Sequence, residues 1–356
     1  GRCGYCEVSI GRETTSKSDI SDNSTLGVKA LLCRKYGEPD VLAMEDIDSG
    51  SPGPEELRMR VHACGVNFPD ILMIRGQYQV KPDFPFAPGC EVAGEVLEIG
   101  SDVSGFTAGD RIVAMPGFGG MQEEVVVQAK RCLPIPESMD FDVAAVFSLT
   151  YGTSYHALVD RARLCCGETV LVLGAAGGVG SAAVDIAQQL GARVIAAGGS
   201  DTKLAQLAEF YGVEETLNYS TEGSELRDRV KLMTQGRGAD VIFDPIGGDA
   251  SQQVLRCVNW NGRILVIGFA ADSENLPKAP TNLLLLKGSS LIGVFWGRFT
   301  QEEPERSYAN FKQLFLWHEA GELKPHISHR FPLEHGGDAL TALIDRKVVG
   351  KCVVLL

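Results

Sequence analysis

The sequence predicts an α/β protein with a β-rich part and a doubly wound parallel sheet. Three observations carry this. Residues 28 to 147 set short apolar runs between Pro-Gly, Gly-Asp and similar turn signals. From Leu164 onward, strand-like runs alternate with helical segments, the pattern of a parallel sheet with helices on its faces. A glycine-rich turn, Gly174-Ala-Ala-Gly-Gly-Val-Gly180, joins the first of these strands to the first helix.

In chain order, Lys29 to Cys33, Glu56 to Ala63, Cys90 to Ile99 and Arg111 to Ala114 read as strands of the first part. Thr169 to Leu173 is a short buried strand, and Ser181 to Leu190 a helix with Val184, Ile186 and Leu190 among its apolar positions. Strands follow at Arg193 to Ala197, Glu215 to Asn218, Asp240 to Asp244, Arg263 to Gly268 and Ser290 to Phe295. Helices are expected at Thr202 to Tyr211, Glu225 to Thr234 and Ala250 to Asn259. In the tail, Tyr308 to Ala320 and Ala339 to Ile344 read as helices and Lys351 to Leu356 as a strand that packs back onto the first part.

At roughly 150 residues per domain, 356 residues suggest two domains. A hydrophobic content of 44% and a charged content of 22% suit a soluble chain able to bury a core. A formal net charge of -13 disfavours nucleic acid, because an acidic surface repels a phosphate backbone. No apolar run approaches the roughly 18 residues of a membrane span, so no membrane partner is expected. The 10 cysteines show no framework spacing and read as reduced thiols, which points to the cytoplasm. Cys3 and Cys6 lack further ligands and read as a chance pair. Residues 1 to 27 are polar, without apolar periodicity, and read as disordered. They balance Arg2, Arg12 and Lys17 with acids, unlike a mitochondrial presequence; one lying upstream would change the compartment.

The glycine turn is the sharpest signal. It follows a strand and opens a helix, the context of a dinucleotide fingerprint. Gly177 and Gly178 let backbone approach a pyrophosphate, and Gly180 lets the helix lie close to the strand. The amides and dipole of the helix N-terminus then favour the anion.

The tip of the second strand points to NADPH rather than NADH. A fold that holds NADH usually carries an acid there, about 20 residues past the turn, for the ribose hydroxyls. Here the strand runs into Gly198-Gly199-Ser200, which leaves room for a 2′-phosphate. Lys203 supplies a charge, and Ser200 and Tyr219 supply hydroxyls. Asp201 facing the ribose would instead allow NADH, and Lys203 also reads as a solvated helix residue.

Several segments together resemble the zinc-independent quinone oxidoreductases (zeta-crystallin-like) of the medium-chain dehydrogenase/reductase superfamily, most nearly the quinone oxidoreductase-like protein 2 group. They are Gly65 to Tyr78, Phe86 to Gly94, Gly174 to Gly180, Asn218-Tyr219, Gly247-Gly248, Asn282 to Lys287 and Phe295 to Arg298. The resemblance spans about residues 28 to 356. It implies a GroES-like β-rich catalytic domain, residues 28–149 and 297–356, and a Rossmann nucleotide-binding domain, residues 150–296. NADPH would lie between them. By that resemblance Ala176, Gly177, Gly178 and Val179 hold the pyrophosphate, with Gly174 and Gly180 in the same cofactor-binding turn, while Gly199, Ser200, Lys203 and Tyr219 hold the 2′-phosphate. Tyr78 and Thr150 approach the nicotinamide, Gly268, Phe269, Ala270, Phe295 and Trp296 line its pocket, and Asn67 and Asp70 lie at the cleft floor. The family also suggests a homodimer, formed through the strand around Ser290 to Phe295.

No metal is expected. At the positions where zinc relatives carry Cys and His ligands, this chain has Asn67 and Cys90, and asparagine is a poor zinc ligand. A closely spaced four-Cys lobe is missing from residues 100 to 130. Without a Lewis acid to hold an alkoxide, an electron-poor small molecule is the expected substrate: a quinone or an α,β-unsaturated carbonyl. Tyr78 then serves as proton donor or as a stacking residue, and Asn67 as a donor to the substrate oxygen or as a backbone cap. A 2-alkenal or an enoyl thioester is the nearest rival substrate. A non-catalytic NADPH-binding or structural protein is the rival of another class, since fold does not fix function.

Overall fold

The computed structural model describes residues 27–222, 226–270 and 276–356. The segment read as disordered lies outside them, apart from Gly27.

The chain begins with strands β1 (Val28–Cys33), β2 (Leu42–Ile47) and β3 (Glu56–Gly65), then helix α1 (Phe68–Ile74). Strands β4 (Glu91–Ile99), β5 (Arg111–Ala114), β6 (Glu124–Gln128) and β7 (Cys132–Pro134) lead into helix α2 (Phe141–Tyr155), which continues as one turn of wider π-helix over His156–Arg161. The alternating part holds β8 (Thr169–Val172), α3 (Gly178–Gln189), β9 (Arg193–Gly198), α4 (Asp201–Tyr211), β10 (Glu215–Asn218), α5 (Tyr219–Glu222) and α6 (Leu226–Met233). It goes on through β11 (Ala239–Asp244), α7 (Gly248–Cys257), β12 (Val258–Val266), α8 (Thr281–Lys287) and β13 (Ser290–Gly293). Helices α9 (Trp296–Glu302) and α10 (Pro304–Glu319), strand β14 (Ile327–Pro332), helix α11 (Gly336–Ile344) and strand β15 (Lys351–Leu355) complete it.

Among the described residues, β8 to β13 form a six-stranded parallel sheet in the order β10-β9-β8-β11-β12-β13. Such a sheet is apolar on both faces because helices cover both, and all four residues of β8 are buried. A second sheet runs β14-β15-β3-β4-β5-β7, with β6 also on β3. The tail therefore pairs with the first part: Val353 of β15 lies opposite Gly65 of β3, and Gly65 opposite Glu91 of β4. Helix α2 packs on β3, β4 and α3, and one apolar cluster runs from Ala63 and Ala93 through Phe147 to Val172.

Residues 28 to 147 are not strands and turns alone. Helix α1 and the start of α2 lie among them. Asn67-Phe-Pro-Asp70 puts proline in the first turn and an acid at the third position, a start signal masked by the short length of α1. Helix α2 is apolar nearly all round, so no amphipathic stripe marks it. Helix α3 begins at Gly178, ahead of the expected Ser181, because the weakly helical glycines of the turn form its first positions. Residues 258–262 belong to β12, where a helix end and a break were expected. The run Leu283 to Leu286 lies in α8 and leaves Leu285 and Leu286 81% and 70% exposed.

Candidate active site

The glycine turn sits at the carboxyl end of β8, the crevice where open α/β sheets bind ligands. Gly174 has φ of 58°, a left-handed conformation suited to glycine. A Cβ on Gly180 would lie 2.2 Å from Gly174 O, so only glycine lets the helix pass so close to the turn. At Gly177 the nearest atom to such a Cβ is 3.3 Å away, and its outer side is open. No side chain caps α3, so its first N–H groups point into that open space. Ala176 O accepts from Gly350 N at 2.9 Å, and Val179 O accepts from Ser154 Oγ at 2.9 Å. Thr150 is buried, its hydroxyl donated to Val146 O at 2.7 Å. Its methyl lies 3.2 Å from a Cβ built on Gly178, so Thr150 touches the turn. The turn thus has the shape of a pyrophosphate cradle.

At the ends of β9 and β10, Gly199, Ser200, Lys203 and Tyr219 come together. A Cβ on Gly199 would lie 3.6 Å from the Tyr219 ring and 2.9 Å from Ser220 Oγ. Ser200 caps α4, its Oγ accepting from Lys203 N, and Asp201 is exposed beside it. Lys203 Nζ donates to Val348 O at 2.9 Å. Burial, and then the like charge of Arg346, hold the Lys203 ammonium below the usual lysine range. Burial raises Tyr219 while Arg346 opposes it, so Arg346 faces both residues. Neither Lys203 nor Arg346 has a carboxylate partner among the described residues.

The third cluster is Asn67, Asp70, Tyr78 and Cys90. Asp70 is fully buried; its carboxylate accepts from Asn67 N at 2.8 Å and Gly89 N at 3.2 Å. Burial raises it to about 6, against the pull of those amides and of Lys351. Tyr78 is half-buried, and burial, then Cys90 and Asp70, push its hydroxyl up, so it stays protonated. The Asn67 side chain lies beneath. Its Nδ2 donates to Glu91 Oε1 at 2.8 Å and Gly65 O at 3.2 Å and lies 3.5 Å from Cys90 Sγ; its Oδ1 accepts from Lys351 Nζ at 2.5 Å. Among the described residues, no group of three or more His, Cys, Asp or Glu is placed to hold a metal ion.

Residues 178–313 match the family described as zinc-binding dehydrogenase, and residues 53–137 match the alcohol dehydrogenase GroES-like domain. The chain is 41% identical to the quinone oxidoreductase-like protein 2 of Mus musculus, over 92% of each chain. A quinone oxidoreductase of Pseudomonas syringae pv. tomato DC3000 superposes with a TM-score of 0.84 at 28% identity, covering 92% of this chain and 100% of that one. The quinone oxidoreductase of Escherichia coli complexed with NADPH superposes with a TM-score of 0.83 at 26% identity, with the same coverage. The chain belongs to the quinone oxidoreductase-like family. It is an oxidoreductase of the medium-chain dehydrogenase/reductase superfamily, with a GroES-like domain and a Rossmann-like sheet.

Within this quinone oxidoreductase-like fold, the remaining predicted residues separate. Gly268, Phe269 and Ala270 follow β12, and Ala270 N donates to Pro245 O at 3.2 Å, so the loops after β11 and β12 meet. Trp296 is turned inward: a Cβ on Gly152 of α2 would lie 2.7 Å from its ring, and Phe311 packs edge-on to it. Phe295 is 65% exposed. Three residues at the site went unread in the sequence: Glu91, Lys351 and Arg346. Glu91 and Lys351 each stand at the head of an apolar strand, where a charge is out of place, and that was the available signal. Arg346, with φ of 55°, follows α11 far from the turn in sequence and carried no signal.

Proposed function

We propose that this oxidoreductase is zinc-independent and NADPH-dependent, and that it reduces an electron-poor small molecule, a quinone or an α,β-unsaturated carbonyl. One observation carries the cofactor reading: Lys203 and Arg346 repel each other beside Gly199, Ser200 and Tyr219, and neither has a carboxylate partner among the described residues. A 2′-phosphate would relieve that repulsion and accept charge-assisted hydrogen bonds. Residues 174–180 hold the pyrophosphate on the open face of Gly177 and the free amides of α3. When bound, the cofactor supplies a hydride from the nicotinamide C4.

The chain's own part is to place the acceptor, exclude water and manage one proton. Tyr78, kept protonated by burial beside Cys90 and Asp70, donates the proton to the oxygen that gains charge. Asn67 lies at the floor of the pocket, its Nδ2 3.5 Å from Cys90 Sγ, while Phe269 and Phe295 border the nicotinamide side and Trp296 backs it from α2. Asp70 acts on Asn67 through the backbone, by capping α1. Residues 28–149 with 297–356, and residues 150–296, form the two lobes of this cleft. Two chains pair through β13, whose outer edge has no strand neighbour among the described residues.

The test is oxidation of NADPH or NADH by the chelator-treated protein, with a quinone in one cell and an enone in another. Turnover with NADPH in chelator is expected, and the better acceptor names the substrate class. Tyr78→Phe should then slow turnover at least about tenfold. Tight NADPH binding with no turnover on any acceptor would overturn the reading in favour of a binding protein.

A further inference from the structure

Among the described residues, Cys33, Cys64, Cys132, Cys257 and Cys352 are buried and Cys90 is half-buried, while Cys165 and Cys166 are exposed. Burial pushes the thiols of Cys132 and Cys257 up to about 12, and a thiol kept protonated is a poor nucleophile. The two exposed thiols are neighbours in sequence. They lie between the π-helical turn that ends α2 and strand β8, at the opposite end of that strand from the glycine turn.

A tight turn presents them. Glu168 N donates to Cys165 O at 3.2 Å, and Gly167 takes a φ of 82° at the third position of the turn. A Cβ on Gly167 would meet nothing within 4 Å, so the turn is open to a reagent from outside. The frame beneath is held. Cys165 N donates to Glu168 Oε2 at 2.8 Å, and Gly167 N donates to Gly191 O at 2.9 Å. Arg263 donates to both Glu168 oxygens at 2.7 Å and to Ala162 O at 3.0 Å, so the charge of Glu168 is neutralised. Arg161 and Arg163 flank the turn, exposed and without an ion-pair partner among the described residues. Such a setting favours a negative sulfur and an anionic reagent, on a chain whose net charge is -13.

We propose that Cys165 and Cys166 are a redox modification site, which exchanges with a small anionic disulfide of the glutathione type and closes a reversible disulfide between the two neighbours. One thiolate attacks a sulfur of the reagent. The reagent's S–S bond breaks, a mixed disulfide forms, and the first thiol leaves. The neighbouring thiolate then attacks the bound protein sulfur and expels the second thiol. The pair gives up two electrons and two protons, and the reagent is reduced to two thiols. Adjacent Cα atoms stand about 3.8 Å apart, closer than the roughly 4.4 Å or more of ordinary disulfides. The closed ring is therefore strained and readily reduced, so the site resets when the oxidising condition passes. The site stands apart from the reductase reading above.

The test incubates the reduced full chain with glutathione disulfide, alkylates the remaining thiols in acid, and weighs the tryptic peptide of residues 164–193, whose cysteines are Cys165 and Cys166. Wild type should lose the mass of two hydrogens and carry neither glutathione nor alkyl group. Excess reduced glutathione should restore both thiols. Cys165→Ser and Cys166→Ser have no neighbour to resolve the mixed disulfide, so each should keep one glutathione on its remaining thiol. Raising the salt concentration should slow the first step several-fold, since the flanking arginines attract the reagent through water. Wild type that keeps glutathione as the single variants do, joins two chains through these cysteines, or stays fully alkylated would overturn the proposal. A rate indifferent to salt would overturn the anionic class of the reagent.

Discussion

Lys203 Nζ donates to the backbone carbonyl of Val348 at 2.9 Å, which ties the helix after β9 to the turn that carries Arg346. Two cations from distant parts of the sequence thereby face one small region beside Tyr219. Replacing either by Met should weaken NADPH binding about 10- to 100-fold, roughly 1.4 to 3 kcal/mol for a lost charge-assisted contact, and leave NADH binding nearly unchanged. Parallel titrations with the two cofactors check this. An equal loss for both would mean that the pair does not meet the 2′-phosphate.

The glycine turn separates two effects. Gly180→Ala puts a methyl against the backbone of Gly174 and Ala175, which cannot yield, so both thermal stability and NADPH affinity should fall. Gly177→Ala meets nothing closer than 3.3 Å and should leave the melting temperature nearly unchanged while it crowds the open face. Affinity alone should drop there, about tenfold. Melting curves and NADPH titrations of both variants decide, and full affinity in Gly177→Ala would move the pyrophosphate elsewhere.

Asp70 makes stability depend on pH. Its folded value of about 6 stands above the ordinary 3.8, because burial outweighs the amides of Asn67 and Gly89 and the charge of Lys351. The fold therefore favours the protonated acid. That contribution is complete below pH 3.8 and is lost as pH rises through about 6, a difference on the order of 3 kcal/mol. Asp70→Asn cannot ionise, so wild type should lose stability relative to it between pH 4 and 6.5. Melting of both proteins across that range measures it; a gap that does not vary with pH would remove Asp70 as the cause.

Strand β13 has no strand neighbour on its outer edge among the described residues, and Leu291 in it is exposed, as are Leu285 and Leu286 of α8. An apolar, unpaired edge invites pairing with a second chain. Light scattering at micromolar concentration should give twice the mass of one chain, and Leu291→Lys should shift it toward a single chain. Wild type that stays single under these conditions would refute the pairing.

Much of the fold was legible because its signals are local. A strand, a Gly-rich turn and a helix in sequence mark the candidate nucleotide site, and the acid-free tip of β9 is readable in three residues. Helix α2 was not legible, since a helix buried on every side loses the stripe that identifies it. Trp296 read as pocket lining, but its ring is turned onto Gly152, a contact set by how α9 meets α2.

By itself, the sequence determined the class of fold, the glycine-rich strand-to-helix turn and the residue types of the Asn67–Asp70 segment, because each depends on neighbours a few positions apart. Only the tertiary structure decided which charges meet. Glu91 and Lys351 stand 260 positions apart and become partners because β4 and β15 both flank β3 at Gly65, where a missing Cβ leaves room for the carboxylate. Arg346 reaches Lys203 for the same kind of reason: the tail folds back beside the helix after β9. The strength of a buried charge depends on distance and on the water excluded around it, and neither is written along the chain.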